Sequence, residues 1–192
     1  MSEEKKHKIL RLAERLGALT FGDYLLSSGE KSKYYFDGRI LTLNPEGAYL
    51  IGETILEEVY DCSAEAIGGP TLGADPIVSA VILTSYLKGS FVEGFLIRSS
   101  VKDHGREQII EGSLSGKKAE SHKLRVVIVD DVCTSGGSLM HSISAVEAQG
   151  CEVVRVVVIL DRLQGGREAI RNSGYCFVPL LVASPQGSVT IA

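Results

Sequence analysis

Residues 126–138, VVIVDDVCTSGGS, give the clearest indication of the fold of this chain. The stretch starts with four β-branched residues, an apolar run typical of a strand buried on both faces of a parallel sheet. Two aspartates and a turn of small residues follow, and a helical pattern begins at about residue 137. A buried strand that leads through a polar turn into a helix is the repeating unit of an α/β fold.

The same alternation of strand and helix extends over most of the chain. Apolar residues such as Ile51, Ile55 and Val59 recur at helical spacing, and other apolar runs are short and end in glycine-rich or acidic turns. We predict helices over about 2–16 (ended by Gly17), from Pro45 onward, and over 76–87, 137–149 and 166–172, a hairpin or short strands within 22–43, and strands over 64–67, 91–97, 125–129, 153–160 and 176–183. This order predicts a central, mostly parallel sheet flanked by helices.

Ligands of such sheets bind at the carboxyl ends of the strands. In this sequence the polar, glycine-rich segments follow the predicted strands at 68–75, 98–112, 130–138 and 161–166. The span from about 98 to 124 is long for a loop in a single compact domain, and loops of that length are usually functional or disordered. We therefore expect the site at this edge.

Composition excludes several classes of function. The 192 residues fit one domain, and a net charge of −4 with a pI near 5.6 does not favour a nucleic-acid partner. The N-terminal residues MSEEKKHKIL are charged, unlike a signal peptide, and no apolar run approaches the length of about 18 residues needed for a membrane span. The four cysteines lack C-x-x-C spacing, which favours a reduced, cytoplasmic protein.

The segment after the apolar run combines two chemistries. Small residues at the start of a helix offer backbone N–H groups to a phosphate, and Thr134, Ser135 and Ser138 add hydroxyl groups. The sequence is neither a Walker A nor a Rossmann motif. Adjacent carboxylates at Asp130 and Asp131 would repel a phosphate, so their natural partners are ribose hydroxyls and a divalent cation. A ribose 5-phosphate that carries a metal-bound pyrophosphate satisfies both sets of groups.

A family resemblance agrees with this interpretation. Residues 129–137 (VDDVCTSGG) resemble the motif with which type I phosphoribosyltransferases bind phosphoribosyl pyrophosphate (PRPP). Other segments resemble orotate phosphoribosyltransferases: 26–37 (LSSGEKSKYYFD), 68–76 (GGPTLGADP), 98–105 (RSSVKDHG) followed by 110–112 (IEG), and 160–162 (LDR) followed by Gly165-Gly166. The resemblance implies a single domain over 1–192 with the type I phosphoribosyltransferase fold, in which about 1–43 form a hood over the base pocket and about 98–115 form a mobile catalytic loop.

The resemblance also implies a role for each matching residue. The acid pair would hold the ribose hydroxyls, residues 134–138 the 5′-phosphate, and Arg162 the carboxylate of orotate. It implies a Mg²⁺ ion held mainly by PRPP, near the acid pair, and a homodimer whose catalytic loop reaches the neighbouring site. The implied catalytic residues are Lys102, His104 and Asp131; the PRPP-binding residues are Arg98, Lys102, His104, Asp130, Asp131, Val132, Cys133, Thr134, Ser135, Gly136, Gly137 and Ser138; and the orotate-binding residues are Thr134, Arg162, Tyr35 and Phe36.

Three departures from the family pattern keep alternatives open. Many members have a lysine where this chain has Ser27 and Leu72, and an Arg-Lys pair where it has Arg98 and Ser99. The alternatives are a transferase for another base, a PRPP-sensing regulator without turnover, and a degenerate paralogue that acts as a partner subunit. Arg162 favours orotate, because an uncharged base has no carboxylate for an arginine to bind.

Overall fold

Strands and helices alternate along much of the part of the chain that the structure describes. The computed structural model describes residues 3–25, 29, 31–99, 109–112, 114, 123–184 and 186–192. In chain order the elements are α1 (Glu3–Leu16), β1 (Leu19–Leu25), β2 (Lys31–Phe36), α2 (Gly38–Thr42), α3 (Pro45–Asp61), β3 (Ala66–Pro70), α4 (Ala74–Leu87), β4 (Glu93–Ile97), β5 (Ile110–Gly112), β6 (Arg125–Cys133), α5 (Gly137–Glu147), β7 (Glu152–Asp161), α6 (Gly166–Asn172), β8 (Phe177–Ala183) and β9 (Val189–Ile191).

The main sheet has seven strands in the order β5-β4-β3-β6-β7-β8-β9. Its five central strands are parallel, whereas β5 and β9 pair antiparallel at the two edges. The predicted fold class, a mostly parallel sheet flanked by helices, is therefore confirmed. None of the helices within the described ranges is long and apolar enough to cross a membrane.

Both faces of the sheet are buried, as the apolar strands predicted. On β6, Val127 and Val129 pack into the same core cluster as Ile55 of α3 and Ile77 of α4. The alternating residues of β6, exemplified by Ile128, belong to a second cluster with side chains of α5 and α6, including Leu139, Ile143 and Ile170. This arrangement follows from the two-residue period of a strand, which sends successive side chains to opposite faces.

Local signals explain why individual helices start where they do. The side chain of Asn44 accepts hydrogen bonds from the backbone N–H groups of Glu46 and Gly47 at the start of α3, and Pro45 occupies the first turn. Asn44 thereby satisfies donors that have no partner inside the helix, and Pro45 suits the first turn because it has no N–H group that would need one. Gly17 has a φ of +73° directly after α1, which suits a glycine that ends a helix.

The N-terminal region contains a hairpin, as predicted, and a helix that we did not predict. β1 and β2 pair antiparallel, with an irregular register between Phe21 and Tyr24. The five-residue helix α2 follows, and the side chain of Asp37 accepts a hydrogen bond from the backbone N–H of Arg39 at its start. Such a short helix has no apolar period of its own, so its capping residue was the available sequence signal.

The predicted strand over 125–129 was too short. β6 continues to Cys133, because it pairs with β7 as far as the partners Cys133 and Asp161. The acid pair therefore lies within the last part of a strand and not in a loop. The short edge strands β5 and β9 were also not predicted.

Candidate active site

Four polar segments meet at one edge of the sheet. β3, β4, β6 and β7 are parallel, so the residues that follow them lie at the same side. These residues are 71–75, 98–99, 134–138 and 162–166, which places the described parts of all four predicted segments together. The long span after β4 is described only at 98, 99, 109–112, 114, 123 and 124, so Lys102 and His104 lie outside the described residues.

Residues 134–138, called the cradle below, form an open turn at the start of α5. Gly136 is the N-cap in a left-handed conformation with φ +81°, and no side chain caps the helix. The first backbone N–H groups of a helix have no intrahelical partner and carry positive dipole charge. Thr134, Ser135 and Ser138 are exposed beside them. The cradle is therefore suited to a phosphate group.

Backbone contacts tie the cradle to the loop that follows β7. The N–H of Arg162 donates to the carbonyl of Cys133 at 3.0 Å, and the N–H of Gly166 donates to the carbonyl of Thr134 at 2.9 Å. Cys133 is buried beneath this junction, and burial together with the negative charge of Asp161 raises the pKa of its thiol to about 12. The thiol therefore stays protonated near neutral pH and packs beneath the cradle.

Position 166 at this junction has room only for a glycine. A Cβ atom on Gly166 would lie 2.5 Å from the Cys133 sulfur and 2.5 Å from the Thr134 carbonyl oxygen. We expect Gly166→Ala to shift the cradle, to lower the unfolding free energy by about 1–3 kcal/mol, and to weaken binding of ribose 5-phosphate. Thermal unfolding and calorimetric titration measure the two effects.

Gly137→Ala is the matched control for folding stability, because its Cβ would meet no atom closer than the Ser135 hydroxyl at 3.9 Å. We expect this control to unfold at or above the wild-type temperature. Equal stability of Gly166→Ala and the wild type would contradict the tight packing of the junction.

The acid pair lies beside the cradle and is largely withdrawn from water. Asp130 is 7% exposed; its carboxylate accepts a hydrogen bond from the Asp131 backbone N–H at 2.9 Å and another from the Ser138 hydroxyl at 3.2 Å. Asp131 lies against Gly38 and Gly73, where an added Cβ would come within 2.7 Å of its carboxylate oxygens. The two glycines leave the space that this carboxylate occupies.

Burial and neighbouring charge disfavour ionisation of this pair. Burial, followed by the charge of Asp131, raises the pKa of Asp130 above its usual range. Burial is also the main cause of the raised pKa of Asp131, and the charge of Asp37 adds to it. Such a pair gains most from a ligand that supplies hydroxyl donors or positive charge.

The loop after β7 carries Arg162 toward the hairpin. The Arg162 Nε donates to the Tyr34 hydroxyl at 2.8 Å, and the guanidinium carbon lies 5.0 Å from the centre of the Tyr34 ring. Tyr34 is buried, whereas Tyr35 points to the other face of β2, where its ring lies 5.7 Å from that of Tyr24. Phe36 is half-buried and packs against the main core.

Comparisons with known proteins decide the family. The model of the phosphoribosyl transferase domain matches residues 58–176, more than half of the chain. The orotate phosphoribosyltransferase of Rhodopirellula baltica is 42% identical over 164 residues, covering 82% of this chain and 81% of the relative. The chain belongs to the orotate phosphoribosyltransferase family.

Two further members of the family extend the match. The orotate phosphoribosyltransferase of Aquifex aeolicus is 36% identical over 172 residues, covering 88% of this chain and 91% of the relative. The crystal structure of the Mycobacterium tuberculosis orotate phosphoribosyltransferase in complex with PRPP superposes with a TM-score of 0.73 at 32% identity, covering 93% of this chain and 96% of that one.

The remaining part of the site is a cavity of about 500 Å³ lined by the 71–75 loop, the end of β4 with the two residues after it, and β5. Gly73 of the same loop lies against the acid pair. Arg98 lies in its wall with its side chain 3.6 Å from the Glu111 carboxylate. One carboxylate oxygen of Asp75 and the Nε of Arg98 are buried without a hydrogen-bond partner, and burial raises the pKa of Asp75. A buried acceptor and a buried donor that lack partners can both be satisfied by a charged ligand in the cavity. The lining residues are Thr71, Leu72, Asp75, Leu96, Arg98, Ser99 and Glu111.

Two positions at which the family pattern often has lysine lie in this cavity. Leu72 is 69% exposed at the tip of the 71–75 loop, and Ser99 follows Arg98 in the wall. Ser27, the third such position, lies outside the described residues. Arg98 is thus the only cation among the described lining residues.

Sequence reasoning missed residues that support the site from other elements. Asp161 is fully buried at the end of β7, and its carboxylate accepts hydrogen bonds from the Leu163 backbone N–H at 2.9 Å and from the Arg167 Nε at 2.5 Å. This pair fixes the loop that carries Arg162. The strand-ending Asp161 was visible in the sequence, but its partner on α6 had no local signal.

Proposed function

We propose that this protein transfers ribose 5-phosphate from PRPP to orotate, forming orotidine 5′-monophosphate and pyrophosphate in pyrimidine biosynthesis. The observation that carries the proposal is the pair of the buried Asp130 and the half-buried Asp131 beside the phosphate cradle, with Arg162 at the end of the neighbouring strand β7. The end of β6 thus offers partners for a 5′-phosphate and a ribose diol, and the end of the neighbouring strand β7 offers a partner for a carboxylate. Family membership supports the same reaction.

The cradle and the acid pair position the sugar. The 5′-phosphate binds the N–H groups and hydroxyls of residues 134–138, and the two ribose hydroxyls donate to Asp130 and Asp131. As the bond between the anomeric carbon and the pyrophosphate oxygen breaks, positive charge develops on the ribose ring, and the nearby carboxylates stabilise it. The ring nitrogen of orotate then forms its bond to the anomeric carbon and loses its proton, which passes to the departing pyrophosphate or to solvent.

The cavity beside Arg98 receives the pyrophosphate in this proposal. Its described lining carries one arginine against two acids, Asp75 and Glu111, so a leaving group with several negative charges requires further cations. We assign that role to Lys102 and His104 of the segment that follows β4. His104 is suited to neutralise or protonate the departing oxygen, because histidine changes charge near neutral pH.

The residues present fit a magnesium requirement. Asp130 and Asp131 supply carboxylate oxygens, the ligand type that Mg²⁺ prefers, and their raised pKa values fall when a cation binds next to them. Within the described ranges no group of three potential protein ligands is present. We propose that a Mg²⁺ ion is held mainly by the pyrophosphate of PRPP, near this pair, where it neutralises the charge of the leaving group.

Residues 1–43 are proposed to be the hood over the base. The hairpin reaches the loop after β7 through the hydrogen bond between Tyr34 and Arg162, so orotate would bind between them. Thr134 from the cradle, Tyr35 and Phe36 are the other proposed contacts of the base. We also retain a cytoplasmic location as a prediction, which is supported by four unpaired cysteines.

A spectrophotometric assay with PRPP and Mg²⁺ tests the function. We expect consumption of orotate and no reaction with uracil, hypoxanthine or adenine, because those bases lack a carboxylate for Arg162. Consumption of one of the other bases in place of orotate would overturn the assignment of the base. PRPP binding without turnover of any base would favour the regulator.

A homodimer is proposed on the basis of an exposed apolar patch, formed by Leu83, Tyr86 and Leu87 of α4 with Phe91. Their exposed fractions are 60–78%, and Leu83, Tyr86 and Phe91 border a cavity of about 480 Å³. Contiguous apolar patches of this kind on a protein surface mark interaction sites, and a twofold axis lets one patch pack against its copy.

We expect the wild type to sediment as a dimer and the double variant Leu87→Glu/Phe91→Glu as a monomer of lower activity. Leu43→Glu is the control, since Leu43 is 72% exposed in the turn between α2 and α3. A monomeric wild type, or a double variant that remains dimeric, would contradict this interface.

A further inference from the structure

The guanidinium of Arg162 is held by the hairpin along one of its two binding edges. A carboxylate can bind an arginine in bidentate fashion at the edge formed by Nε and one terminal nitrogen, or at the edge formed by both terminal nitrogens. In this structure the Nε donates to the Tyr34 hydroxyl at 2.8 Å. The first edge is therefore occupied, and the second edge is the one available for a ligand.

Tyr34 is itself fixed, so it can hold the arginine in one orientation. It is 5% exposed, belongs to the main core cluster, and pairs with Phe21 across the hairpin. The ring of Tyr34 also lies beside the guanidinium, with the guanidinium carbon 5.0 Å from the ring centre. A cation beside an aromatic ring gains electrostatic attraction, which adds to the hydrogen bond.

A neighbouring serine supports the same orientation. The Ser32 hydroxyl lies on the same face of β2, donates to the Tyr34 carbonyl oxygen at 2.7 Å, and is 3.5 Å from a terminal nitrogen of Arg162. The hairpin thus meets the arginine with a close contact at Nε and a long contact at one terminal nitrogen. Because the contact at Nε is much the shorter, it decides which edge stays open.

The loop after β7 fixes the arginine from the opposite side. The Arg162 backbone N–H is bound to the Cys133 carbonyl, and the buried Asp161 before it accepts from Leu163 and Arg167. The backbone of Arg162 is therefore set by the sheet, and its side chain is set by the hairpin. A side chain fixed at both ends loses little conformational entropy when a ligand binds.

We propose that Tyr34 is a positioning residue that determines specificity for a carboxylate-bearing base, by turning the two terminal nitrogens of Arg162 toward the ligand. This inference rests on the proposed function, since it assumes that Arg162 binds the carboxylate of the base. Tyr34 touches neither the sugar nor the reacting atoms in this account. Its effect on the reaction passes through Arg162 alone.

The test is a double-mutant cycle with Tyr34→Phe and Arg162→Ala, read out as kcat, KM for orotate and KM for PRPP. Phenylalanine keeps the ring and its packing and removes only the acceptor hydroxyl. We expect Tyr34→Phe to raise KM for orotate about tenfold, which is about 1.4 kcal/mol, with KM for PRPP and kcat within about twofold. In the Arg162→Ala background the same change should have no further effect on KM for orotate.

Arg162→Lys provides a second arm that does not depend on changing the core. A lysine has one ammonium group and cannot bind Tyr34 and both carboxylate oxygens in the planar arrangement. We expect it to lose nearly as much orotate affinity as Arg162→Ala, and Tyr34→Phe to add nothing in that background. Thermal unfolding of each variant separates a loss of fold from a loss of positioning.

The outcomes distinguish this inference from the proposed function. If Arg162→Ala raises KM for orotate and Tyr34→Phe does not, the positioning role is wrong and the function stands. Additive effects of the two changes would also overturn the positioning role. If Arg162→Ala leaves KM for orotate unchanged, the assignment of the base site fails, and the inference fails with it.

Discussion

Asp131→Asn is expected to lower kcat/KM for PRPP about a hundredfold or more and to raise the unfolding temperature of the ligand-free protein. The loss of activity follows because asparagine offers no negative charge to the ribose ring as that ring becomes positive. The gain in stability follows because Asp130 and Asp131 are withdrawn from water beside each other, which disfavours the ionised forms. Opposite changes in activity and stability are the signature of a functional carboxylate pair.

The gain in stability should depend on pH with a defined sign. Burial raises the pKa of Asp131 in the folded protein, so its ionisation costs stability once the pH exceeds the unfolded value near 3.8. The cost is absent at lower pH and fully present above the raised pKa. The difference in unfolding temperature between Asp131→Asn and the wild type should therefore grow as pH rises above the unfolded value and level off above the raised pKa of Asp131.

Glu14→Gln is the matched control for this experiment. It makes the same acid-to-amide change at an exposed position of α1, which is not among the proposed contacts of PRPP or orotate. We expect it to change neither kcat/KM nor the pH dependence of unfolding. An Asp131→Asn protein that is less stable than the wild type at high pH would show that the carboxylate is a structural partner instead.

Lys102→Ala is expected to reduce kcat by about a thousandfold while leaving the unfolding temperature unchanged. The reason is electrostatic, since the described lining of the cavity offers Arg98 against Asp75 and Glu111, too little positive charge for a departing pyrophosphate. Each group that stabilises charge in the transition state contributes a factor of about 10²–10³ in rate. We expect the factor contributed by Lys102 to lie at the upper end of this range, because pyrophosphate carries several negative charges. Steady-state and single-turnover rates provide the measurement.

Lys123→Ala is the control, because Lys123 is an exposed lysine from the same polar span, just before β6. It should retain wild-type turnover. If Lys102→Ala also retained wild-type turnover, the segment after β4 would have no part in the chemistry, and Arg98 would be left as the cation of the cavity. A fall in unfolding temperature would instead indicate a structural role for the lysine.

Much of the fold was predictable because its central signals are local. The apolar run of β6, the acid pair and the small residues of the cradle are contiguous in sequence, so one stretch predicts a strand, its polar end and the following helix. Asn44 and Pro45 likewise mark the start of α3 within two positions. The parallel sheet then follows from the repetition of such units.

The supporting contacts were not predictable, because they join residues distant in sequence. Tyr34 and Arg162 are 128 positions apart, and their hydrogen bond depends on how the hairpin lies over the sheet. Tyr35 and Phe36 stay predicted contacts of the base, but the sequence did not indicate that the two-residue period of β2 turns Tyr34 toward Arg162 and Tyr35 toward Tyr24. A one-position change in the register of the hairpin would have exchanged the two roles.

The short edge strands β5 and β9 and the C-terminal end of β6 were not predictable for a similar reason. β5 and β9 have three residues each, and antiparallel pairing at a sheet edge holds them in place. β6 reaches Cys133 because β7 extends beside it, which the polar residues of β6 alone do not indicate. In each case the partner strand determines the element.

The most direct test of the central claim is a crystal structure of the protein with ribose 5-phosphate. We expect the phosphate to contact the N–H groups and hydroxyls of residues 134–138 and the ribose hydroxyls to donate to Asp130 and Asp131. Ribose 5-phosphate bound at another place, with these residues making no contact to it, would contradict the account.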